Sequence, residues 1–240
     1  MTKILALDTS TAWCSVALTL DEGPALIRHE NVGSASSQVL LPWIEELLKT
    51  SKNPLESLDA MAVGIGPGAF TGVRMAIAVT QGLATAAKLP VLAVPSLDAI
   101  AAQLVQTEKF IRSGAQSFVI ALDARMNEVY WAAYESTGDS LPRRIGEITL
   151  SSPELVNLEN AQFLAGSAIN EFGDRLVSRM SDKTLDTLDP EITIHAQGIL
   201  LCAQQMWSQG LQHDVHLLEP LYIRNKVALT TAEREQLGHV

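Results

Sequence analysis

An α/β fold in two similar halves is predicted by three observations. Apolar runs of strand length alternate with helix-period segments along the chain, in the order strand, strand, strand, helix, strand, helix (βββαβα), and the order recurs loosely in the second half. Each half ends its first strand on an aspartate, Asp8 and Asp123. A glycine-dense segment, Gly64-Ile65-Gly66-Pro67-Gly68-Ala69-Phe70-Thr71-Gly72-Val73-Arg74, joins a strand pattern to an Ala-rich helix pattern. Each half is therefore expected to be a mixed sheet with helices packed on it, the product of a duplication.

The elements follow from local chemistry. Residues 4–7 are an apolar run closed by the polar cluster Asp8-Thr9-Ser10-Thr11. Residues 13–20 and 25–31 read as strands around the turn Asp21-Glu22-Gly23-Pro24, completing an antiparallel meander. Ser36 or Ser37 is expected to cap a helix to about residue 49, with Pro42 kinking it or marking a late start. Strand 60–65, the glycine loop, helix 71–87, strand 91–94 and a helix from Pro95-Ser96 to about 105 follow. The polar stretch 106–116 is the expected seam, which divides the chain into lobes 1–105 and 106–240. Beyond it, strands are expected at 118–122, 128–134, 143–150 and 163–165, a short helix at Ser152-Pro153, and helices at 168–180 and 194–208. The low apolar content of 225–240 predicts a loosely held tail.

Bulk properties narrow the function. The chain has 240 residues, of which 47% are hydrophobic, and a formal net charge of −10. That charge repels phosphate backbones, so unassisted nucleic-acid binding is disfavoured. No apolar run approaches the ~18 residues of a membrane span, and the short run at the start ends in aspartate, unlike a secretory signal. Cys14 and Cys202 are far apart and lack metal spacing, which fits a reducing cytoplasm.

The glycine loop offers two uses. Glycines before a helix let backbone N–H groups converge on an anion, or let a second backbone come close. No lysine follows to complete a Walker loop, and the dinucleotide fingerprint lacks its acidic partner. No Gly-x-Ser-x-Gly elbow is present, so nucleophilic serine chemistry has no support. Of the histidines, only His213 and His216 lie close together, as a solvated turn rather than a metal site.

The helix 71–87 carries Gly72, Ala76, Ala78, Gly82, Ala84, Ala86 and Ala87, small residues that permit close helix crossing; Gly82 costs helix propensity and so suggests a tight one. Leu40, Leu41, Trp43, Ile44, Leu47 and Leu48 form an arc on the preceding helix wider than one sheet contact needs. A partner-binding face is therefore expected at Leu40, Trp43, Ile44, Leu47, Gly72, Arg74, Ala76, Val79, Gly82 and Leu83. Arg74 has two open assignments, a partner carboxylate or an internal pair with Asp8.

The paired βββαβα units with their Asp-turns resemble the actin, sugar kinase and Hsp70 ATPase fold, two RNase H-like lobes whose Asp-turns hold phosphate across a cleft. Within it, Asp8-Thr9-Ser10, the segment from Gly66 to Arg74, Val94-Pro95-Ser96-Leu97, Asp123-Ala124-Arg125 with Glu128-Val129-Tyr130, and Pro220-Leu221-Tyr222-Ile223-Arg224 together are similar to the TsaB (YeaZ) family. That resemblance implies a noncatalytic partner of TsaD, joined by the ATPase TsaE. Their complex transfers threonylcarbamoyl from its adenylate to N6 of the adenosine beside the anticodon, in tRNAs reading codons that begin with A. It also implies that tRNA is met only through the complex, and that the chain, sharing TsaD's fold, forms a homodimer when alone. TsaD holds its metal with a His-x-x-x-His pair; the matching helix here has no histidine, so no metal and no cofactor are expected. Asp8, Thr9, Ser10 and Asp123 mark degenerate phosphate turns, since Thr9 and Ala124-Arg125 stand where small residues serve phosphate, and Gly166-Ser167 stands for the family's adenosine-pocket Gly-Gly pair. Each aspartate also reads as a plain turn residue. The alternative function is a small-molecule kinase or ATPase of the same fold.

Overall fold

In the computed structural model of the chain, residues 2–20, 23–136, 138, 141–180 and 184–224 are described. The turn at Asp21-Glu22 and the tail expected beyond 224 lie outside them. The first half contains β1 (Ile4–Asp8), β2 (Trp13–Leu18), β3 (Leu26–Asn31), α1 (Ser36–Ser51), β4 (Ala60–Gly64), α2 (Phe70–Ala87), β5 (Val91–Val94) and α3 (Ser96–Leu104). The second contains α4 (Glu108–Ser113), β6 (Ser117–Asp123), β7 (Val129–Glu135), β8 (Arg143–Ser151), β9 (Phe163–Ala165), α5 (Ala168–Phe172), α6 (Asp174–Val177), β10 (Leu188–Asp189) and α7 (Ala196–Ser208).

The strands form two five-stranded sheets, ordered β3-β2-β1-β4-β5 and β8-β7-β6-β9-β10. In the first, β1 pairs antiparallel with β2 and parallel with β4. In the second, β6 pairs antiparallel with β7 and parallel with β9. Order and direction thus repeat, as the duplication predicts, and Asp8 and Asp123 end the equivalent central strands.

Alternation along β1 explains the layering. Leu5 and Leu7 face α1 and α2, together with Val16, Leu18, Met61 and Val63. Ile4 and Ala6 face the opposite way, into a core shared with Leu97 and Ile100 of α3, Ile199 and Ala203 of α7, and Phe118, Ile120 and Phe163 of the second sheet. Helices α3 and α7 therefore lie between the sheets. Gly198 allows α7 close to α3, since a Cβ there would stand 2.2 Å from the Ala99 carbonyl oxygen. The outer face of the second sheet is covered by α5 and α6 through Ile169, Leu176 and Val177.

Local expectations needed correction in several places. Helix α1 runs unbroken through Pro42, which sits on its exposed side. Its N-cap is Ala35, with no side-chain cap, because a 3-10 turn at Gly33–Ala35 feeds directly into the helix and draws Ser36 inside it. The helix expected over 168–180 is two short ones, divided at Gly173 with φ 50° and ψ −128°, a conformation suited to glycine. The expected seam contains α4, capped by Thr107. Strand β10, only two residues long, left no periodic signal to read. The short helix at Ser152-Pro153 is a single 3-10 turn, Pro153–Leu155.

Candidate functional site

The Asp8-Thr9-Ser10 turn and the glycine loop are one packed unit. Strands β1 and β4 are parallel neighbours, so Asp8 arrives beside Gly64. A Cβ on Gly64 would stand 2.1 Å from Asp8 Oδ2, one on Gly68 2.7 Å from Ser10 Cβ, and one on Gly72 1.9 Å from the Thr9 carbonyl oxygen. Each glycine is there because the turn occupies the space of its missing side chain. The Ser10 amide and hydroxyl each donate to Asp8 Oδ1 at 2.8 Å. Thr9 Oγ1 donates to the Gly72 carbonyl at 2.7 Å, and the Ala69 N–H at the start of α2 donates to the Ser10 carbonyl at 2.7 Å.

Asp8, Thr9 and Ser10, the expected phosphate-turn residues, are thus bonded to each other and to the loop. Those residues are 0%, 2% and 2% exposed, and the Ala69 N–H at the α2 N-terminus is already given to the Ser10 carbonyl rather than to a ligand. Asp8 Oδ2 has no hydrogen-bond partner. Burial pushes the Asp8 carboxyl up to about 7, against the two bonds from Ser10 that favour its charged form. Burial and the nearby Asp8 push the Cys14 thiol up to about 12, leaving it unreactive.

The second turn is bound differently. Asp123 Oδ1 accepts the Arg125 amide at 2.8 Å and Oδ2 meets the Arg125 guanidinium at 3.0 Å. The Asp123 amide donates to Ser167 Oγ at 3.1 Å, and Gly166, at φ 117°, lets the backbone come against Ala121. Arg125, Met126 and Asn127 all take positive φ (60°, 55° and 62°), which is costly for side-chain-bearing residues. The carboxylate expected to meet phosphate is therefore occupied by its own loop. Among the described residues no cluster of three or more His, Cys, Asp or Glu is arranged to hold a metal. His213 pairs through its backbone with Val91 at the edge of β5 rather than lying in a free turn.

The segment 218–224 links the two turns. The Leu221 amide donates to the Ile65 carbonyl at 2.9 Å. Arg224 reaches the Ala124 carbonyl at 3.0 Å and Glu128 at 2.5 Å. Between them, Tyr222 Oη accepts from Arg74 Nε and Nη2 at 3.0 and 2.7 Å, while the Arg74 guanidinium lies 3.6 Å from the Phe70 ring centre. The pairing of Arg74 with Asp8 is absent, because Asp8 is sealed beneath the glycine loop.

The α1/α2 face divides into two stripes. Leu40, Ile44, Leu47 and Ala76 are 1%, 3%, 4% and 0% exposed and pack on the first sheet, so as partner contacts they are corrected to core. Gly72 is likewise an internal close approach. Trp43, Val79 and Leu83 are half-buried at the edge of that core. The outward stripe of α2 is Arg74, Ala78 and Gly82, spaced by one helical turn. Among the described residues nothing lies within 4 Å of a Cβ built on Gly82, and none of their helices crosses there. Phe70, 58% exposed, lies against Arg74 of the stripe, and Leu41, 51% exposed, is on the outward side of α1. Phe70 and Tyr222 were not expected at this site, and Leu41 and Ala78, though read in the apolar arc and the small-residue series, were left out of the expected contact set. Leu40, Ile44 and Leu47, at i, i+4, i+7, form the inward stripe in the structure and leave Leu41 outside it.

A duplicated α/β protein of the actin and Hsp70 ATPase type, with both Asp-turns engaged by its own backbone and side chains, is the class that this geometry defines. Comparison with known proteins gives the family. Residues 29–177 match the family model described as "TsaD: tRNA N6-adenosine threonylcarbamoyltransferase". The chain is 35% identical to the tRNA threonylcarbamoyladenosine biosynthesis protein TsaB of Escherichia coli K12, covering 94% of this chain and 96% of that protein. It is 36% identical to TsaB of Haemophilus influenzae, covering 93% and 94%. A crystal structure of YeaZ from Pseudomonas aeruginosa superposes with a TM-score of 0.80 at 38% identity, covering 92% of this chain and all of that one. The chain belongs to the TsaB family.

Proposed function

We propose that this chain is a noncatalytic partner subunit in the biosynthesis of tRNA threonylcarbamoyladenosine. It pairs with TsaD through the outward stripe of α2 and the adjoining part of α1, with TsaE joining the pair in the cytoplasm. TsaD carries the transfer of threonylcarbamoyl from its adenylate to N6 of the adenosine beside the anticodon, in tRNAs reading codons that begin with A. This chain meets tRNA only as part of that assembly and forms a homodimer when alone.

The observation that carries the reading is the uncovered edge of α2 at Gly82. A helix gives up roughly 0.5–1 kcal/mol by holding glycine in its interior. Among the described residues no group uses the room so created. A second protein's helix accounts for it, and Leu41 and Phe70 supply the apolar margin. The match to the TsaD family model supports a partner of like backbone, which can pair across a pseudo-twofold axis.

The test is size-exclusion chromatography of the purified chain with TsaD at low micromolar concentration. A shift to the mass of a complex is expected, together with its loss in Gly82→Trp while the far-UV circular dichroism is unchanged. An unshifted mixture would overturn the reading.

A further inference from the structure

Arg74 is the only charged residue on the outward stripe of α2, and its surroundings are unusual for a cation. Helix α2, Phe70–Ala87, contains no carboxylate. Among the described residues Arg74 forms no ion pair. Two of its guanidinium nitrogens donate to one neutral acceptor, Tyr222 Oη, and its planar face lies on the Phe70 ring. The fork is thus held in place by two aromatic side chains, while its Nη1 has no hydrogen bond among the described residues. A guanidinium fixed in this way has lost little freedom left to lose, and its donors match a carboxylate better than a phenol.

Among the described residues, helices α1 and α2 do not supply that carboxylate. Helix α1 carries two acids, Glu45 and Glu46, and both are engaged. Glu45 pairs with Lys49 at 2.5 Å, one turn along, and Glu46 pairs with Arg28 of β3. The same two helices of a second copy of this chain therefore bring no unpaired carboxylate of their own to Arg74. A different partner is free to bring one.

We infer that Arg74 is a specificity residue of the α1/α2 face: it receives a carboxylate from a partner protein other than a second copy of this chain, and so favours the mixed pair over the homodimer. The inference rests on the proposed pairing with TsaD. The apolar stripe is shared by both pairings and sets their common affinity; the guanidinium adds a charge-assisted contact to only one of them. A protein acid fits better than nucleic-acid phosphate, because the stripe beyond Arg74 is apolar and the chain's net charge of −10 opposes a polyanion.

The experiment measures dissociation constants for the full chain with TsaD of the same organism, by isothermal titration calorimetry. The chain's own oligomeric state is measured by analytical ultracentrifugation, for wild type, Arg74→Met and Arg74→Lys. Arg74→Met is expected to weaken the TsaD complex on the order of ten- to hundredfold. It should also flatten the salt dependence of the complex, while the variant keeps the wild type's oligomeric state and far-UV circular dichroism. Arg74→Lys should restore the salt dependence and part of the affinity. Unchanged TsaD affinity in Arg74→Met overturns the inference, as does an equal loss in the self-association. Unchanged TsaD affinity with loss of RNA binding by the chain would assign the guanidinium to phosphate instead and overturn it as well. Failure of the wild type to bind TsaD at all would remove the pairing itself, an outcome distinct from these.

Discussion

Asp8 and Gly64 end neighbouring parallel strands, and the Asp8 carboxyl fills the volume a side chain on Gly64 would need, with Oδ2 2.1 Å from the site of that Cβ. The group is fully buried and is held by Ser10 at one oxygen only. A carboxyl so placed is destabilising when ionised. Its folded value of about 7 stands above the ordinary 3.8, so the folded chain retains a proton that the unfolded chain releases. Its contribution to stability is complete below pH 3.8 and is lost as pH rises through 7. The full swing is on the order of 4 kcal/mol. Asp8→Asn keeps an acceptor for Ser10 without the charge. It is expected to be more stable than wild type at pH 8 and nearly equal to it at pH 4.5, as read by urea denaturation at the two values. Equal stability of the two proteins at pH 8 would contradict the burial argument.

Glycines 72 and 82 stand in one helix and predict opposite responses to alanine. A methyl at Gly72 would meet the Thr9 carbonyl at 1.9 Å, a backbone atom that cannot swing aside. Gly72→Ala is therefore expected to destabilise by roughly 2 kcal/mol or more through forced separation of α2 from the Asp8 turn. Gly82 faces open space in a helical conformation. Gly82→Ala is expected to stabilise the isolated chain by about 0.5–1 kcal/mol. Thermal melts of the two variants, side by side, check both signs.

These two glycines also mark how far the sequence could be read. The repeated order of three strands, a helix, a strand and a helix, the Asp-terminated central strands and the strand-glycine-helix junction follow from periodicity and turn chemistry, which are local. That the loop is filled by Thr9 and Ser10 depends on β1 lying beside β4, a contact between residues some sixty positions apart that no local pattern encodes. The helix 36–51 was legible as amphipathic, yet an apolar arc does not say which of its members face inward. Burial of Leu40, Ile44 and Leu47 was decided by the sheet beneath them, and this left Leu41 for the surface. Arg74 was singled out from its place after the glycines, but its partner Tyr222 comes from the far end of the chain. The break at Gly173 and the two-residue β10 lie below the length at which periodicity carries information.

A third prediction comes from the stacked rings of Trp13, His29 and His195, whose centroids lie 4.5 Å and 4.0 Å apart in succession. They join β2 and β3 to the start of α7. Burial, and secondarily the neighbouring His195, lowers His29 from 6.5 to about 4, and burial lowers His195 as well. Both rings are thus neutral in the folded chain at pH values where the unfolded chain takes up protons. Their contribution to stability is present above pH 6.5 and is lost as pH falls toward 4, opposite in sign to that of Asp8. His29→Gln is expected to lose less stability than wild type between pH 7 and pH 5. Imidazole proton shifts followed by NMR across that range should place the His29 midpoint well below 6.5, and a midpoint at the ordinary value would refute the linkage.

The kinase or ATPase alternative makes its own demand. It needs Asp8 and Asp123 free to face phosphate and its metal across a cleft. In the fold Asp8 is sealed and bonded to Ser10, while both oxygens of Asp123 are taken by Arg125. Opening the first turn would require the glycine loop to lift from Thr9 and Ser10, breaking the Ala69 and Thr9 hydrogen bonds and exposing the Val73 and Ile77 core beneath α2. A ligand that stabilises the fold raises the melting temperature in proportion to RT ln(1 + [L]/Kd), so even a millimolar binder registers when present at several times its Kd. Magnesium ATP at 5 to 10 mM, taken as roughly several-fold above such a Kd, is expected to leave the melting temperature of the isolated chain unchanged. Asp123→Asn should be equally indifferent to it. A rise that Asp8→Asn and Asp123→Asn each abolish would restore the catalytic reading, since it would mean that the glycine loop opens at low cost and that both turns still meet phosphate.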